Sequence, residues 1–283
     1  MTLQVTDSEF KLLRDLIEQR CGICLDDDKH YLIENRLTNL AEESKCSNFG
    51  EFFIRIKNSP ASADLWGAVV DAMTTNETLW LRDQHPFSVL KDLIFPQFSE
   101  ELQTKKRNTI DIWSAACSTG QEPYSIAMTA LDFYNKAGGE RACREQVRIL
   151  ATDISSAALS TAMAGKYDHG SILRGLPLDK RNRYFSNQDD CWFVTENVKH
   201  LVEFKKTNLQ EPFLGLGRFD VIFLRNVIIY FSDDFKTDLL NRIAGMLKPG
   251  GYLFLGGGET VHGYTSAFRV KEGNKCIYYQ LNS

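Results

Sequence analysis

The chain has 283 residues, of which 43% are hydrophobic and 25% charged, and a formal net charge of −4. The length fits one large domain or one medium domain with a small companion, and the composition is that of a soluble globular protein. The net charge excludes a uniformly basic, nucleic-acid-binding surface. No apolar run approaches the roughly 20 residues that cross a bilayer, and the start MTLQVTDSEF is not a signal peptide. We therefore expect a cytoplasmic protein.

The first 80 residues are predicted to form a small helical domain (residues 1–80). Thr6 and Glu9 form a capping box, apolar residues follow at helical spacing, and Gly22 ends this first helix. The same pattern predicts three more helices, over residues 31–43, 49–57 and 64–73. No segment of this region alternates like a strand.

The cysteines raise the question of a metal or redox site. There are seven, and only Cys21 and Cys24 stand close together. A Cys-x-x-Cys pair is redox-active in some proteins and half of a zinc site in others. A complete zinc site needs a second pair of soft ligands, which does not appear at suitable spacing, and the five histidines are scattered. We therefore expect reduced thiols and no metal site.

After Arg82 the predicted secondary structure changes from helices alone to strands that alternate with helices. This alternation predicts βαβ units and a mostly parallel sheet over residues 81–283. A helix over residues 87–98 comes first, and a turn is predicted at residues 248–251. The predicted strands are residues 110–113, 147–152, 220–224 and 252–255, and the helices between them are 123–134, 155–164 and 235–247. Residues 268–271 and 276–281 are predicted to close the sheet as a hairpin.

One stretch, residues 166–206, breaks this alternation. It contains two short strand-like runs, residues 191–195 and 200–204, with turns between them. We interpret it as a small insertion within the α/β domain.

The first βα turn, residues 114–122, is built mainly of small residues, which let a flat ligand approach the backbone. Gly120 can adopt positive φ, and the Gly-x-Gly-x-x-Gly pattern of a pyrophosphate site is absent. Asp153 follows the next strand, where a carboxylate can accept hydrogen bonds from ribose hydroxyls. An ordinary tight turn and a helix-capping Asp153 are the alternatives. Together the two turns indicate a nucleoside cofactor without phosphate, of which S-adenosylmethionine is the commonest.

Further polar side chains are expected at the same edge of the sheet, because ligands bind beyond the carboxyl ends of parallel strands. Asn208 and Leu209 follow the strand-like residues 202–206. Arg225, Asn226 and Tyr230 follow the strand at 220–224.

Over almost its full length the chain resembles the CheR-type chemotaxis receptor glutamate O-methyltransferases. Four motifs carry the resemblance: TTNETLWLRD (74–83), WSAACSTGQEPYSIAM (113–128), ATDIS (151–155) and LRNVIIYF (224–231). The family usually has two phenylalanines where this chain has Trp80 and Leu81, and often cysteine where it has Leu224. These changes stay apolar.

The resemblance implies a helical N-terminal domain and a Rossmann-like methyltransferase domain with a small antiparallel subdomain. It implies methyl transfer from S-adenosylmethionine to glutamate carboxylates on the cytoplasmic domains of methyl-accepting chemotaxis receptors, with S-adenosylhomocysteine as the other product. We expect a monomeric enzyme. Arg82 and Tyr230 match positions close to the methyl transfer. The implied cofactor contacts are Asn76, Thr78, Arg82, Glu122, Asp153, Asn208, Leu209, Arg225 and Asn226.

Each implied role has a structural alternative. Arg82 can instead form a salt bridge, Tyr230 can be a buried aromatic residue, and Glu122 can be a favourable acid at a helix N-terminus. Two alternatives stand for the whole protein: a methyltransferase that acts on another protein or small molecule, and a regulator that binds the cofactor without catalysis. For receptor docking, the N-terminal domain offers a thin basic face (Lys29, Arg36, Arg55 and Lys57), for which a mixed solvated surface is the alternative. Some relatives hold a receptor's C-terminal tail on the inserted subdomain by strand addition, and the sequence leaves open whether residues 166–206 do so.

Overall fold

The computed structural model of the chain describes residues 3–60 and 64–282, so the outermost residues of the two predicted domains, 1–2 and 283, lie outside the described part. The N-terminal region forms the four predicted helices. Their bounds are α1 (Asp7–Cys21), α2 (His30–Glu43), α3 (Phe49–Asn58) and α4 (Asp64–Met73). The capping box of α1 is present, and Gly22 ends the helix with a φ of 78°.

These four helices enclose a core of their own. Phe10 and Ile17 of α1 pack with Ile33 and Leu37 of α2 and with Phe52 of α3, all at most 1% exposed. Each such side chain contributes about 1.5–3 kcal/mol when fully buried. The helical spacing of the apolar residues therefore produces one apolar face per helix, and the faces meet in a single cluster.

The predicted, mostly parallel sheet is confirmed, and its closing hairpin is present. The strands are β1 (Ile110–Ala115), β2 (Val147–Asp153), β3 (Lys166–Asp168), β4 (Phe185–Gln188), β5 (Cys191–Val194), β6 (Val202–Lys206), β7 (Phe219–Leu224), β8 (Leu247–Leu255), β9 (Phe268–Gly273) and β10 (Cys276–Leu281). Within residues 64–282, the larger sheet has the order β6-β2-β1-β7-β8-β10-β9. Its first five strands are parallel, and β10 runs antiparallel to β8 and β9.

Helices cover both faces of this sheet. Their bounds are α5 (His85–Val89), a π-helical turn (Leu90–Ile94), α6 (Phe95–Gln103), α7 (Gln121–Tyr134), α8 (Gly139–Gln146), α9 (Ser156–Ala164), α10 (His169–Leu173), α11 (Leu178–Tyr184), α12 (Glu196–Lys199) and α13 (Asp233–Met246). Alternate residues of β1 enter opposite cores, since Ile112 packs in the cluster of Tyr124 and Phe223 while Trp113 packs in that of Leu240.

The small antiparallel sheet has the order β3-β5-β4, and it requires a correction to the sequence interpretation. The strand predicted at residues 200–204 is β6, which pairs in parallel with β2 in the main sheet, with Val202 opposite Ile149. The range 166–206 therefore extends too far as an insertion, because the antiparallel strands end at Val194. Short apolar alternation predicts a strand but does not indicate which sheet it joins.

A second difference concerns residues 248–251, predicted as a turn. They lie within β8, where the register against β7 shifts between the pair Phe219–Leu247 and the pair Val221–Tyr252. Gly250 has a φ of 71°, which a bulge in the strand readily uses. The bulge leaves the carboxyl end of β8 at the same edge of the sheet as the ends of β1, β2, β6 and β7.

Candidate functional site

A cleft of about 330 Å³ lies at this edge of the sheet, between the N-terminal helices and the carboxyl ends of the strands. All ten residues predicted for the site line it. They are Asn76, Thr78, Arg82, Glu122, Asp153, Asn208, Leu209, Arg225, Asn226 and Tyr230. The structure thus brings together side chains that are spread over more than half of the sequence, while the role of each remains a prediction.

The first βα turn forms the floor of the cleft in a strained conformation. Ala116 and Ser118 have φ values of 63° and 51°, a region that side chains other than glycine rarely adopt. The Ser118 hydroxyl donates to the carbonyl oxygen of Asn76 at 3.1 Å, which ties the turn to the motif before the sheet. At Gly120, a Cβ atom would lie 2.9 Å from the Cβ of Ala162, so only glycine fits there.

Asp153 is 7% exposed, and its two carboxylate oxygens each accept one backbone hydrogen bond. Oδ2 accepts from the N–H of Ser118 at 2.7 Å and Oδ1 from that of Ser155 at 2.9 Å. Burial raises the pKa of the Asp153 carboxyl, and these backbone hydrogen bonds oppose the rise. The cap of α9 is Ser155, which accepts from the N–H of Ala158. Asp153 is therefore not the capping residue, and its free lone pairs remain for a ligand.

Arg225, with a side chain only 1% exposed, lies at the centre of an ion network with the largely buried Glu122 and the half-exposed Asp83. Its Nη1 lies 3.1 Å from Oε2 of Glu122, and its Nη2 donates to Oδ2 of Asp83 at 2.5 Å and to the carbonyl of Arg82 at 3.0 Å. Its buried Nε has no partner within the described protein. Burial raises the pKa of the Glu122 carboxyl, and Arg225 opposes this rise. Glu122 also accepts a hydrogen bond from the hydroxyl of Ser114 at 2.8 Å.

Arg82 differs from Arg225 in having no acidic side chain within 4 Å among residues 3–60 and 64–282. Its Nη1 donates only to the carbonyl oxygen of Glu77, at 3.3 Å. The predicted alternative, a structural salt bridge, is made instead by the neighbouring Asp83 with Arg225. The guanidinium of Arg82 is therefore available to a ligand carboxylate.

The backbone around Arg82 is strained and pinned. Leu81, Asp83 and Gln84 all have φ between 46° and 66°. The N–H of Leu81 donates to the hydroxyl of Ser125 at 3.0 Å. Strained backbone of this kind persists where the surrounding structure holds it in place, and it is common at functional sites.

Glu259 was not predicted, and it anchors the segment after β7. Its carboxylate accepts four backbone hydrogen bonds, from Gly256, Asn226, Val227 and Ile228, at 2.6 to 3.0 Å. A short 3₁₀ helix over Ile228–Tyr230 follows. Glu259 thereby fixes the backbone that carries the predicted site residues of this segment. Its position after the strand β8 was the available signal, since polar side chains after strand ends meet at this edge.

Among the described residues, three hydrogen bonds attach α1 and the segment after it to the rim of the cleft. Nδ2 of Asn208 donates to the carbonyl of Arg20 at 2.8 Å, and Nε2 of Gln210 donates to that of Glu18 at 2.8 Å. The backbone N–H of Cys24 donates to the carbonyl of Tyr230, also at 2.8 Å. The amide of Asn208 therefore already has a protein partner.

The residues of the cleft fit the predicted cofactor. S-adenosylmethionine carries a ribose diol, an ammonium, a carboxylate and a sulfonium. The cleft offers Asp153 for the diol, Glu122 for a cation and the unpartnered Nε of Arg225 for the cofactor carboxylate. Arg82 suits the carboxylate of either the cofactor or an acceptor. Among the described residues no group of three or more His, Cys, Asp or Glu side chains is arranged to hold a metal ion. Within the same residues no helix combines the length and the apolar character needed to cross a bilayer.

Comparison with known proteins gives matches over nearly the whole chain. Residues 8–74 match the family model "CheR methyltransferase, all-alpha domain", and residues 76–277 match "CheR methyltransferase, SAM binding domain". The chain is 44% identical to chemotaxis protein methyltransferase 1 of Vibrio cholerae, over 99% of this chain and 98% of that protein. It is 41% identical to chemotaxis protein methyltransferase Cher2 of Pseudomonas putida, over 96% and 97% of the two chains.

A more distant relative is the chemotaxis protein methyltransferase of Salmonella typhimurium, which is 33% identical over 95% of this chain and 89% of that protein. The two family models meet between residues 74 and 76, just after α4 ends. The boundary between the two domains that we place after residue 80 stays a prediction.

Proposed function

The chain belongs to the CheR methyltransferase family, whose sheet domain binds S-adenosylmethionine, and from this premise we propose that it methylates glutamate side chains of methyl-accepting chemotaxis receptors. The products would be glutamyl methyl esters and S-adenosylhomocysteine. The observation that supports this acceptor is the guanidinium of Arg82, which lines the cleft and has no acidic partner in the described structure, whereas both Nη atoms of Arg225 are already paired with Glu122 and Asp83.

The chemistry of the acceptor explains why the cleft lacks an obvious base. A free glutamate titrates near pH 4.3, so it is anionic at neutral pH and needs no proton removed. The described residues that line the cleft include no histidine. When bound, S-adenosylmethionine supplies an electrophilic methyl group on a positively charged sulfur.

The protein then has to position the acceptor and exclude water. Arg82 holds a carboxylate with two parallel N–H donors, which fixes its orientation as well as its place. Tyr230 lines the same cleft and offers a hydroxyl for orienting the incoming group. Alignment of the reacting atoms at roughly 3 Å supplies much of the rate enhancement in reactions of this kind. Removal of water from the carboxylate oxygen leaves it free to attack.

The test is a methylation assay with radiolabelled S-adenosylmethionine and purified receptor cytoplasmic fragments. The proposal expects label on the fragment that is released by mild base as methanol, because carboxylate esters hydrolyse under these conditions. Fragments whose acceptor glutamates are replaced by glutamine should take up no label. Base-stable label would favour a methyltransferase of another specificity. Tight cofactor binding without any label would favour a non-catalytic regulator.

Asp153→Ala is expected to weaken the affinity for S-adenosylhomocysteine by about 10- to 100-fold, the cost of losing hydrogen bonds to a charged group. Asp153→Asn, which keeps one acceptor oxygen, should fall between the wild type and the alanine variant. Titration calorimetry gives these affinities. Asp238→Ala, at an exposed carboxylate paired with Arg242 on α13, is the control and should bind like the wild type. An unchanged affinity of Asp153→Ala would contradict the ribose assignment.

A further inference from the structure

An exposed ion pair lies on the rim of the cleft beside Arg82. Nη2 of Arg174 is 2.8 Å from Oε1 of Glu77, and the two side chains are 52% and 69% exposed. Glu77 also lines the cleft, and its carbonyl oxygen accepts the hydrogen bond from Arg82. Two arginines therefore share Glu77 as a neighbour, one inside the cleft and one on its rim.

The backbone that carries Arg174 is fixed against the backbone that carries Arg82. The N–H of Trp80 donates to the carbonyl of Arg174 at 3.2 Å, and the indole Nε1 of Trp80 donates to the carbonyl of Ser171 at 3.0 Å. At Gly175, which has a φ of 94°, a Cβ atom would lie 2.5 Å from the carbonyl oxygen of Trp80. The base of the Arg174 side chain is thus held close to the cleft, while its guanidinium reaches into solvent.

Exposed apolar side chains lie in the segment of Arg174 and in the lining of the cleft. Leu173 and Leu178 are each 60% exposed, and Ile229, which lines the cleft, is 53% exposed. A rim that offers an arginine and exposed aliphatic residues is complementary to an acidic amphipathic helix, whose carboxylates lie beside an apolar stripe.

We propose that Arg174 is a substrate-binding residue that receives a second carboxylate of the acceptor helix, about one turn from the glutamate that is methylated. The inference rests on the proposed function, which supplies an acidic helix as the acceptor. In the free enzyme, Glu77 occupies the place of that carboxylate. An exposed ion pair adds little net stability, so the substrate can replace Glu77 at small cost. Side chains four residues apart lie on the same helix face, so Arg82 and Arg174 can engage one helix together.

The charge of the second glutamate also affects substrate choice. Methylation of the second glutamate removes its negative charge, and with it the attraction to Arg174. The enzyme should therefore distinguish acceptor helices whose neighbouring glutamate is free from those in which it is already neutral.

The experiment measures ester formation on two receptor fragments that are identical except for glutamate or glutamine four residues from a single acceptor glutamate. For the wild type, KM should be about five- to tenfold lower with the neighbouring glutamate, as expected for one charge-assisted contact. For Arg174→Ala, KM should be the same with both fragments and as high as that of the wild type with the glutamine fragment. Its kcat and its affinity for S-adenosylhomocysteine should stay unchanged. Glu77→Gln should lower KM, because the competing carboxylate is gone.

Matched controls come from a second exposed Arg–Glu pair, Arg141 with Glu145, on α8. Arg141→Ala and Glu145→Gln should leave both KM values unchanged. If Arg174→Ala still prefers the fragment with the neighbouring glutamate, the inference is wrong even though the proposed function holds. If wild-type enzyme forms no methyl ester on either fragment, the proposed function is wrong and the inference falls with it.

Discussion

Arg82→Ala is expected to lower kcat for receptor methylation by about 100- to 1000-fold, the usual loss when one preorganised donor at a reacting group is removed. The guanidinium of Arg82 lines the cleft without an acidic partner among the described residues. Its removal therefore leaves no carboxylate without a cationic partner. The strained backbone at this position is held by the Leu81–Ser125 hydrogen bond and by the donation of Arg225 to the carbonyl of Arg82, and neither depends on the Arg82 side chain. The fold should therefore survive.

Arg82→Lys separates charge from geometry. Lysine keeps the positive charge but lacks the planar fork, so its kcat should lie between those of the wild type and the alanine variant. Steady-state kinetics on a receptor fragment, with circular dichroism as the check of folding, provides the comparison. Wild-type turnover by Arg82→Ala would show that this side chain serves only the structure.

Arg225→Met is expected to have the largest effect on stability, lowering the free energy of unfolding by about 3–5 kcal/mol, as when one partner is removed from a buried ion pair. The substitution leaves the largely buried carboxylate of Glu122 without its cation, whereas the carboxylate of Asp83 is half exposed and can be hydrated. Burial already raises the pKa of the Glu122 carboxyl, and the loss of Arg225 removes the charge that opposes this rise.

A double variant tests this explanation. Arg225→Met combined with Glu122→Gln removes the uncompensated charge, so it should recover part of the lost free energy. Urea unfolding of the wild type, both single variants and the double variant gives the coupling free energy between the side chains of Arg225 and Glu122. Additive effects of the two substitutions would contradict a direct interaction between these side chains.

The regular elements of the fold were predictable because long periodic patterns report local structure. The capping box at Thr6 and Glu9, the strand and helix alternation, and the closing hairpin are all confirmed. The assignment of residues 200–204 to the insertion was wrong because strand pairing is a long-range property. The same apolar run can pair in either sheet, and its partner β2 lies about 50 residues away in the sequence.

The lining of the cleft was also predictable, because parallel strands place their carboxyl ends at one edge. The residues that hold the site in place by hydrogen bonds to its backbone were not predicted. Glu259 holds the loop after β7 by accepting N–H groups, and Ser125 and Asp83 pin the segment of Arg82. Most of these contacts join positions far apart in the chain, so the sequence does not show which groups they connect, although the position of Glu259 after β8 marks it as a residue of this edge. Arg174 likewise becomes notable only through its distance to Glu77.

The most direct test of the proposed function is to locate the transferred methyl group by peptide mass spectrometry of a receptor fragment after reaction with the enzyme and S-adenosylmethionine. The result predicted here is methylation of glutamate side chains, lost after mild base and absent when Arg82→Ala replaces the wild type. Methylation at a nitrogen atom, or no methylated peptide despite measured cofactor binding, would contradict it.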